Sequence, residues 1–94
     1  MHDKGWFVYI VECSDGTLYT GVTTDIERRM DEHNSNRLGA KYTSARRPVN
    51  LRYSERCEDR SLACKREAEI KKLKRNQKWA VIHSLNYQLD YNKN

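Results

Sequence analysis

The feature that most restricts this chain lies near its start. Trp6 to Cys13 (WFVYIVEC) is an almost unbroken apolar run, followed by Ser14-Asp15-Gly16 and a second run from Thr17 to Val22. β-Branched and aromatic residues at this density favour extended backbone. Apolarity at consecutive positions predicts a strand covered on both faces, hence a central one. Asp-Gly supplies the positive φ of a tight reversal, so Gly5–Cys13 and Thr17–Val22 are expected to pair as a hairpin.

The remaining elements follow from local pattern. Thr24-x-x-Glu27 reads as a capping box that opens a helix, with Ile26 and Met30 as a narrow apolar stripe. Arg29 and His33 lie four apart and project from one side of it; the helix is expected to run out at Asn34-Ser35-Asn36. Residues 37–48 read as loop, containing Gly39, Thr43, Ser44 and the only proline, Pro48. Val49–Arg56 alternates, with Val49, Leu51 and Tyr53 set against Asn50, Arg52 and Ser54, and predicts a half-buried third strand. Glu58-Asp59 precedes a long helix whose inward stripe is expected to be Leu62, Ala63, Ile70 and Leu73. Asn76 is placed to cap a further helix with Trp79, Ile82 and His83 on one face. The expected fold class is α+β, a small three-stranded antiparallel sheet flanked by helices in the order β-β-α-β-α-α. It forms a single domain over residues 1–87, with a polar, flexible tail over 88–94.

Charge sets a direction for the partner. The chain has 94 residues, a formal net charge of +5 and a charged fraction of 33%, with a mean hydropathy of -1.01 and a pI near 9.2. That balance favours a polyanion over an acidic protein. No stretch approaches the run of about 18 apolar residues that a membrane span needs. The first residues lack the apolar core of a signal peptide, so a cytoplasmic location is expected. Cys13, Cys57 and Cys64 are odd in number and have no CxxC spacing, which argues against a disulfide framework or a zinc knuckle. Cys13 reads as a small core residue. His2, His33 and His83 form no HxxxH or HExxH motif.

Several side chains carry a chemical and a bland reading side by side. Arg29 and His33 can aim a guanidinium and a proton-carrying imidazole at a phosphate, or be a solvated helix flank. Tyr9 and Tyr19 can be packing residues, or phenols facing a cleft. To act as a base at neutral pH, a phenol needs its reference pKa of about 10 lowered by cations or a metal-bound water. Glu67 and Glu69 flank opposite sides of the inward stripe, and the helical wheel does not choose between them. Either can hold a hard divalent cation, or pair with a lysine, as Glu67 can with Lys71. The basic residues fall into two groups. One is the loop with Arg37, Lys41, Arg46 and Arg47 around Tyr42; the other is Lys71-Lys72-x-Lys74-Arg75-x-x-Lys78 before Trp79. Both suit phosphate contacts with occasional stacking, and the second is equally a solvated helix face.

With these residues in view, the chain resembles the GIY-YIG nuclease family, in particular its small stand-alone bacterial members. The two tripeptides that name the family appear as Phe7-Val8-Tyr9 and Tyr19-Thr20-Gly21, with both tyrosines and the second glycine kept. Thr24-Asp25-Ile26-x-x-Arg29-x-x-x-His33 fits the next motif, and Ser61-Leu62-Ala63-x-x-x-Glu67-x-x-Ile70-Lys71 fits the segment of the metal-binding glutamate. The resemblance covers about residues 5 to 83 and selects Glu67 over Glu69.

It implies hydrolysis of DNA phosphodiesters with one divalent ion, Mg²⁺ or Mn²⁺, in repair or recombination. Glu67 is then the metal ligand and Arg29 stabilises charge on the phosphate. Tyr9 or Tyr19 helps to activate water, with Tyr9 favoured, and His33 assists the proton or holds a tyrosine hydroxyl. Phe7 departs from the family's first glycine. No second domain is expected, so DNA contacts fall to Arg37, Lys41, Arg46, Arg47, Lys71 and Lys74, with specificity left to these or to a protein partner. The competing expectation is a DNA-binding module that keeps the nuclease fold with little activity of its own.

Overall fold

The computed structural model describes residues 5–35 and 40–92, with side chains through Ser84. Its elements are β1 (Trp6–Glu12), β2 (Leu18–Thr23), α1 (Ile26–His33), α2 (Lys41–Ser44), β3 (Asn50–Cys57), α3 (Arg60–Lys71) and α4 (Arg75–Asn92). The expected β-β-α-β-α-α order holds, with one short helix, α2, added inside the segment read as loop. Helix α4 continues past Tyr87, through the first part of the segment assigned to a tail.

The antiparallel sheet has the order β2-β1-β3, which puts the apolar first strand in the centre. Alternation then sends its residues to two cores. Val8 and Ile10 pack with Tyr53, Ala63, Ile70 and Ile82 under α3 and α4, with Trp79 partly buried beside them. Tyr9, Val11 and Cys13 pack with Val49 on the opposite face, covered by Ile26 and Met30 of α1. The hairpin reverses through Ser14-Asp15-Gly16: Cys13 N–H donates to the Thr17 carbonyl at 2.8 Å and Gly16 takes φ +85°. Only glycine adopts that conformation without a Cβ penalty.

Four local expectations are corrected. The N-cap of α1 is Asp25, whose carboxylate accepts from Arg28 N–H at 3.0 Å, in place of the Thr24 capping box. β2 runs to Thr23, so Thr24 is used to leave the sheet, and Asp caps at least as well as Thr. Similarly, α4 opens at Arg75, which leaves Asn76 inside the first turn. Leu62 is 47% exposed, whereas Ala63 and Ile70 are buried. Those two, seven residues apart, define a narrow line against the sheet, and Leu62 stands about 100° off it. Finally, Val49, Leu51 and Tyr53 do not share a face. Tyr53 pairs with Ile10 and Leu51 with Val11, so Arg52 is an extra residue in β3. This bulge resets the alternation, which puts Val49 and Tyr53 in different cores and leaves Leu51 exposed.

Tyr9 and Gly21 are partners in the β1–β2 register, and the Tyr9 ring lies across the glycine. A Cβ at position 21 would stand 2.5 Å from the Tyr9 hydroxyl and 2.7 Å from its Cζ. Gly21→Ala is therefore expected to lower the unfolding free energy by about 1–3 kcal/mol through overpacking. Ile70→Ala should cost about 2–5 kcal/mol. Leu62→Ala should stay within about 1 kcal/mol. Urea denaturation of the three variants checks all of these, and equal losses at Ile70 and Leu62 would contradict the placement of α3.

Candidate active site beside strand β2

Crossing Gly21 carries the Tyr9 phenol outward over β2, to the face covered by α1. Arg29 and His33, one turn apart on α1, both meet it there. Arg29 Nε–H donates to the Tyr9 hydroxyl at 3.3 Å, and His33 Nε2 lies 2.8 Å from the same oxygen. The other imidazole nitrogen, Nδ1, is 2.9 Å from Thr43 Oγ1 on α2. Thr43 donates its proton to the Ala40 carbonyl at 3.0 Å. A hydroxyl has one proton to give, so Thr43 accepts from His33 Nδ1–H. That leaves the Nε2 lone pair to accept from Tyr9 O–H, a tautomer assigned from the network. The hydrogen bonds thus run in one direction, from Arg29 through Tyr9, His33 and Thr43 to the Ala40 carbonyl.

Burial sets the charge state of this chain. Tyr9 is 1% exposed, and His33 and Thr43 are fully enclosed. Loss of solvent pushes the Tyr9 phenol above its ordinary value, against the lowering effect of the Arg29 hydrogen bond and charge. Burial, and then the nearby Arg29 charge, lower His33 from 6.5 to about 4, although Glu32 opposes this. At neutral pH both groups are uncharged, and Arg29 supplies the positive charge. Arg29 also ion-pairs with Glu32, Nη1 to Oε1 at 2.8 Å, while Arg28 stands outside with a looser contact to the same carboxylate at 3.6 Å.

Tyr19 joins through its ring. It stands edge-on to His33 with centroids 5.5 Å apart, and stacks on Tyr42 of α2 at 5.7 Å. Arg46 closes the tier, with its guanidinium 4.0 Å from the Tyr42 ring centre. It also donates to the Tyr42 carbonyl at 2.8 Å and to Asp15 of the hairpin tip at 3.0 Å. Asn34 clamps the start of β3 from the end of α1: its amide accepts from Val49 N–H at 2.7 Å and donates to the Val49 carbonyl at 3.2 Å. The wall that holds Thr43 against His33 is therefore tied at both ends.

Glu67 is reached from α3, which packs on β1 and β2. Its side chain is 21% exposed and pairs with Lys71 at 3.1 Å. It lies near enough for its charge to act on the Tyr9 phenol. Glu69 instead points away, more than half exposed, and pairs with Arg66 at 3.2 Å. Glu67 is thus the half-buried carboxylate that the helical wheel could not single out. Among the described residues, no three His, Cys, Asp or Glu side chains gather into a metal-binding cluster.

Of the expected site residues, Tyr9, Arg29 and His33 meet through hydrogen bonds, Tyr19 through ring contact and Glu67 through its field. Of the expected phosphate contacts, Lys41, Lys71 and Lys74 are exposed. Arg46 is engaged as above, and Arg47 donates to the Ser35 carbonyl; Arg37 lies outside the described residues. Sequence reasoning missed Glu32 and Thr43. Glu32 was accessible to it, three residues beyond Arg29 on the same helix. Thr43 carried no signal, because its partner is brought by tertiary folding.

Residues 5–80 match the GIY-YIG catalytic domain. A UPF0213 protein of Desulfotalea psychrophila is 60% identical over 77 residues, covering 82% of this chain and 70% of that protein. A UPF0213 protein of Halobacterium salinarum is 55% identical over 75 residues, 80% of this chain and 96% of its own. Two solution NMR structures share the fold. A UPF0213 protein of Bacillus halodurans superposes with a TM-score of 0.54 at 40% identity, covering 84% of this chain and 83% of that one. A protein of E. faecalis gives 0.63 at 42% identity, covering 92% and 91%. The tyrosine laid across the glycine of the second tripeptide, the arginine and histidine that meet its hydroxyl, and the match along most of the sequence agree: the chain belongs to the GIY-YIG catalytic domain family, a family of nucleases.

Proposed function

We propose that this chain is a metal-dependent endonuclease that hydrolyses DNA phosphodiester bonds, with repair or recombination intermediates as its class of substrate. The observation that carries this reading is the buried, one-directional chain from Arg29 through Tyr9 to His33. A packing tyrosine needs one partner for its hydroxyl. This one has a cation on one side and a neutral imidazole on the other, which is the equipment of a proton relay beside an anion.

In the mechanism, the water oxygen forms a bond to phosphorus while the bond from phosphorus to the leaving sugar oxygen breaks. Arg29 faces the phosphate oxygens and stabilises the charge that builds on them, a task for which it must exchange Glu32 for substrate. Because burial holds the Tyr9 proton tightly, a resting phenolate is not the base. Tyr9 instead takes the proton of the attacking water at its oxygen as its own proton passes to His33 Nε2; His33, too weakly basic to keep it, returns it through Tyr9 to solvent, and the leaving sugar oxygen takes a proton from solvent. His33 is neutral beforehand and is held by Thr43 in the tautomer that leaves Nε2 open. Tyr19 walls the imidazole and fixes its plane. Lys41, Lys71 and Lys74 contact neighbouring phosphates. Arg46 and Arg47 contribute through the guanidinium N–H groups that their internal bonds leave over.

Glu67 would hold the divalent ion. With one half-buried carboxylate and no cluster around it among the described residues, the donor set fits Mg²⁺ or Mn²⁺ bound by a single protein ligand, with water and phosphate oxygens completing the shell. When bound, the ion supplies positive charge close to the reacting phosphate. Three free cysteines accord with a cytoplasmic location. No helix among the described residues is long and apolar enough to cross a membrane.

A second reading, a DNA-binding module with little activity alone, draws on one observation. Arg29 and Glu67 are both engaged, by Glu32 and Lys71, at 2.8 and 3.1 Å. Incubating supercoiled, single-stranded and branched DNA at low salt with Mg²⁺ or Mn²⁺ separates the two. Wild type should nick, Glu67→Ala should not, and Arg29→Ala should lose about 10²–10³-fold in rate. Unchanged turnover in Arg29→Ala would end the mechanism, and binding without cleavage by wild type would favour the module.

The relay also needs His33 neutral. Its imidazole resonances should titrate near pH 4 by NMR, against 6.5 for an ordinary histidine. Above pH 6.5 folded and unfolded chains both carry it neutral, so its contribution to stability is complete there. As pH falls towards 4 the unfolded chain binds the proton first, and on the order of 2–3 kcal/mol of stability is lost. Urea unfolding between pH 7 and 4 measures the loss; a His33 midpoint at or above 6.5 would contradict the burial argument.

A further inference from the structure

The net charge of this protein is not spread evenly over its cations. Arg28, Arg29, Arg46, Arg52, Arg66 and Lys71 each meet a carboxylate within 4 Å. Lys72, Lys74, Arg75 and Lys78 meet none among the described residues, and all four lie at the corner where α3 passes into α4. Lys41, Arg47, Arg60 and Lys65 also meet none of the described carboxylates, but they are spread over α2, the loop after it and α3, whereas the corner gathers four such cations within seven residues.

That corner also has a shape. Arg75 and Lys78 line a recess of about 200 Å³ together with Thr17 and Leu18, at the start of β2. Arg75 is fixed over it by donating to the Gly16 carbonyl, and Lys78 is half-buried. A half-buried lysine lays its stem along apolar surface and keeps its ammonium in water, so the recess presents a cation that no described carboxylate neutralises. Gly21, over which the Tyr9 hydroxyl lies, is four residues beyond Thr17, roughly 13 Å along β2. A duplex strand rises about 3.4 Å per nucleotide along its axis, and successive phosphates wound around that axis are farther apart than that, so the distance spans a few nucleotides.

We propose that this recess binds a backbone phosphate of a nucleic-acid strand that runs along the β2 edge, a few nucleotides from the bond to be cut. Arg75 and Lys78 are its phosphate ligands. The inference rests on the nuclease reading for the position of the strand, and it adds residues outside the loop. It makes the α3–α4 corner the main electrostatic contact. Arg46, whose charge is offset by Asp15, contributes less.

Binding without cleavage tests it. A fluorescent single-stranded oligonucleotide and a short duplex are titrated with wild-type protein in EDTA across a range of KCl, read by anisotropy. Lys78→Ala and Arg75→Ala should each weaken binding several-fold at low salt. Each should also reduce the slope of log affinity against log salt by about 0.7 on the single strand or 0.9 on the duplex. Arg75→Lys, which keeps the charge, should retain the slope. Lys65→Ala is the control: it removes the same charge from a groove on the β3 side shared with Glu55, Glu58 and Glu69, and should leave the slope unchanged. An unaltered slope in folded Lys78→Ala and Arg75→Ala overturns the proposal. So does an equal loss in Lys65→Ala, which would reduce the effect to net charge, and so does absence of binding by wild type. Binding with the predicted slopes but no cleavage when metal is added would overturn the nuclease reading and leave the recess standing. Cleavage by wild type with unchanged slopes would do the reverse.

Discussion

A buried phenol must have its hydroxyl satisfied, and here the ring can reach partners only by lying across a residue with no side chain. Leaving that hydroxyl unpaired would cost about 1–3 kcal/mol, so the Tyr9–Gly21 crossing dictates much of what surrounds it. The β1–β2 register is held where glycine faces tyrosine. Helix α1 is held where Arg29 and His33 meet the oxygen. Helix α2 follows because an enclosed imidazole has a second nitrogen to satisfy, and Thr43 is what satisfies it. Sheet register, two helices and a loop clasp thus trace to one side chain that has to cross its neighbouring strand.

The part of this arrangement that could be read in the sequence is the part set by period. An unbroken apolar run before Asp-Gly can hardly be anything but a central strand in a hairpin, and residues four apart on a helix must share a side. Those two facts place Tyr9 on the central strand and put Arg29 and His33 on one side of the helix that follows. The failures fall where local pattern meets a decision made elsewhere. The inserted Arg52 changes which face Val49 and Tyr53 serve, yet the one-dimensional alternation through it is intact. Leu62 loses its place in the core because the sheet takes a narrow line of α3, and the width of that line depends on the partner. Thr43 looked like loop composition because its task is set by an imidazole ten residues earlier in the chain.

Charge shows the same division between composition and structure. Counting lysines and arginines made the loop and the α3–α4 run equivalent. Pairing separates them in part: Arg46 binds Asp15 and the Tyr42 carbonyl and Arg47 the Ser35 carbonyl, while in the run only Lys71 meets a carboxylate and Arg75 ties to the Gly16 carbonyl. A guanidinium is well suited to tying backbone, since its planar fork can serve a carboxylate and a carbonyl at once, and a lysine's single ammonium is less so. That chemistry is consistent with arginine in the clasp and lysine predominating at the exposed corner.

The directed hydrogen bonds have one further consequence. A chain of this kind has two self-consistent polarities and nothing stable between them, because each hydroxyl and each imidazole nitrogen either gives or receives. In the second polarity Thr43 would give to His33 Nδ1, Nε2–H would give to the Tyr9 oxygen, and the Ala40 carbonyl would keep only the backbone N–H groups of Thr43 and Ser44. The phenol proton, no longer engaged by histidine, would then point outward. The tautomer of a single enclosed ring therefore fixes where the phenol proton points: inward to His33 in the polarity found here, and away from it in the other.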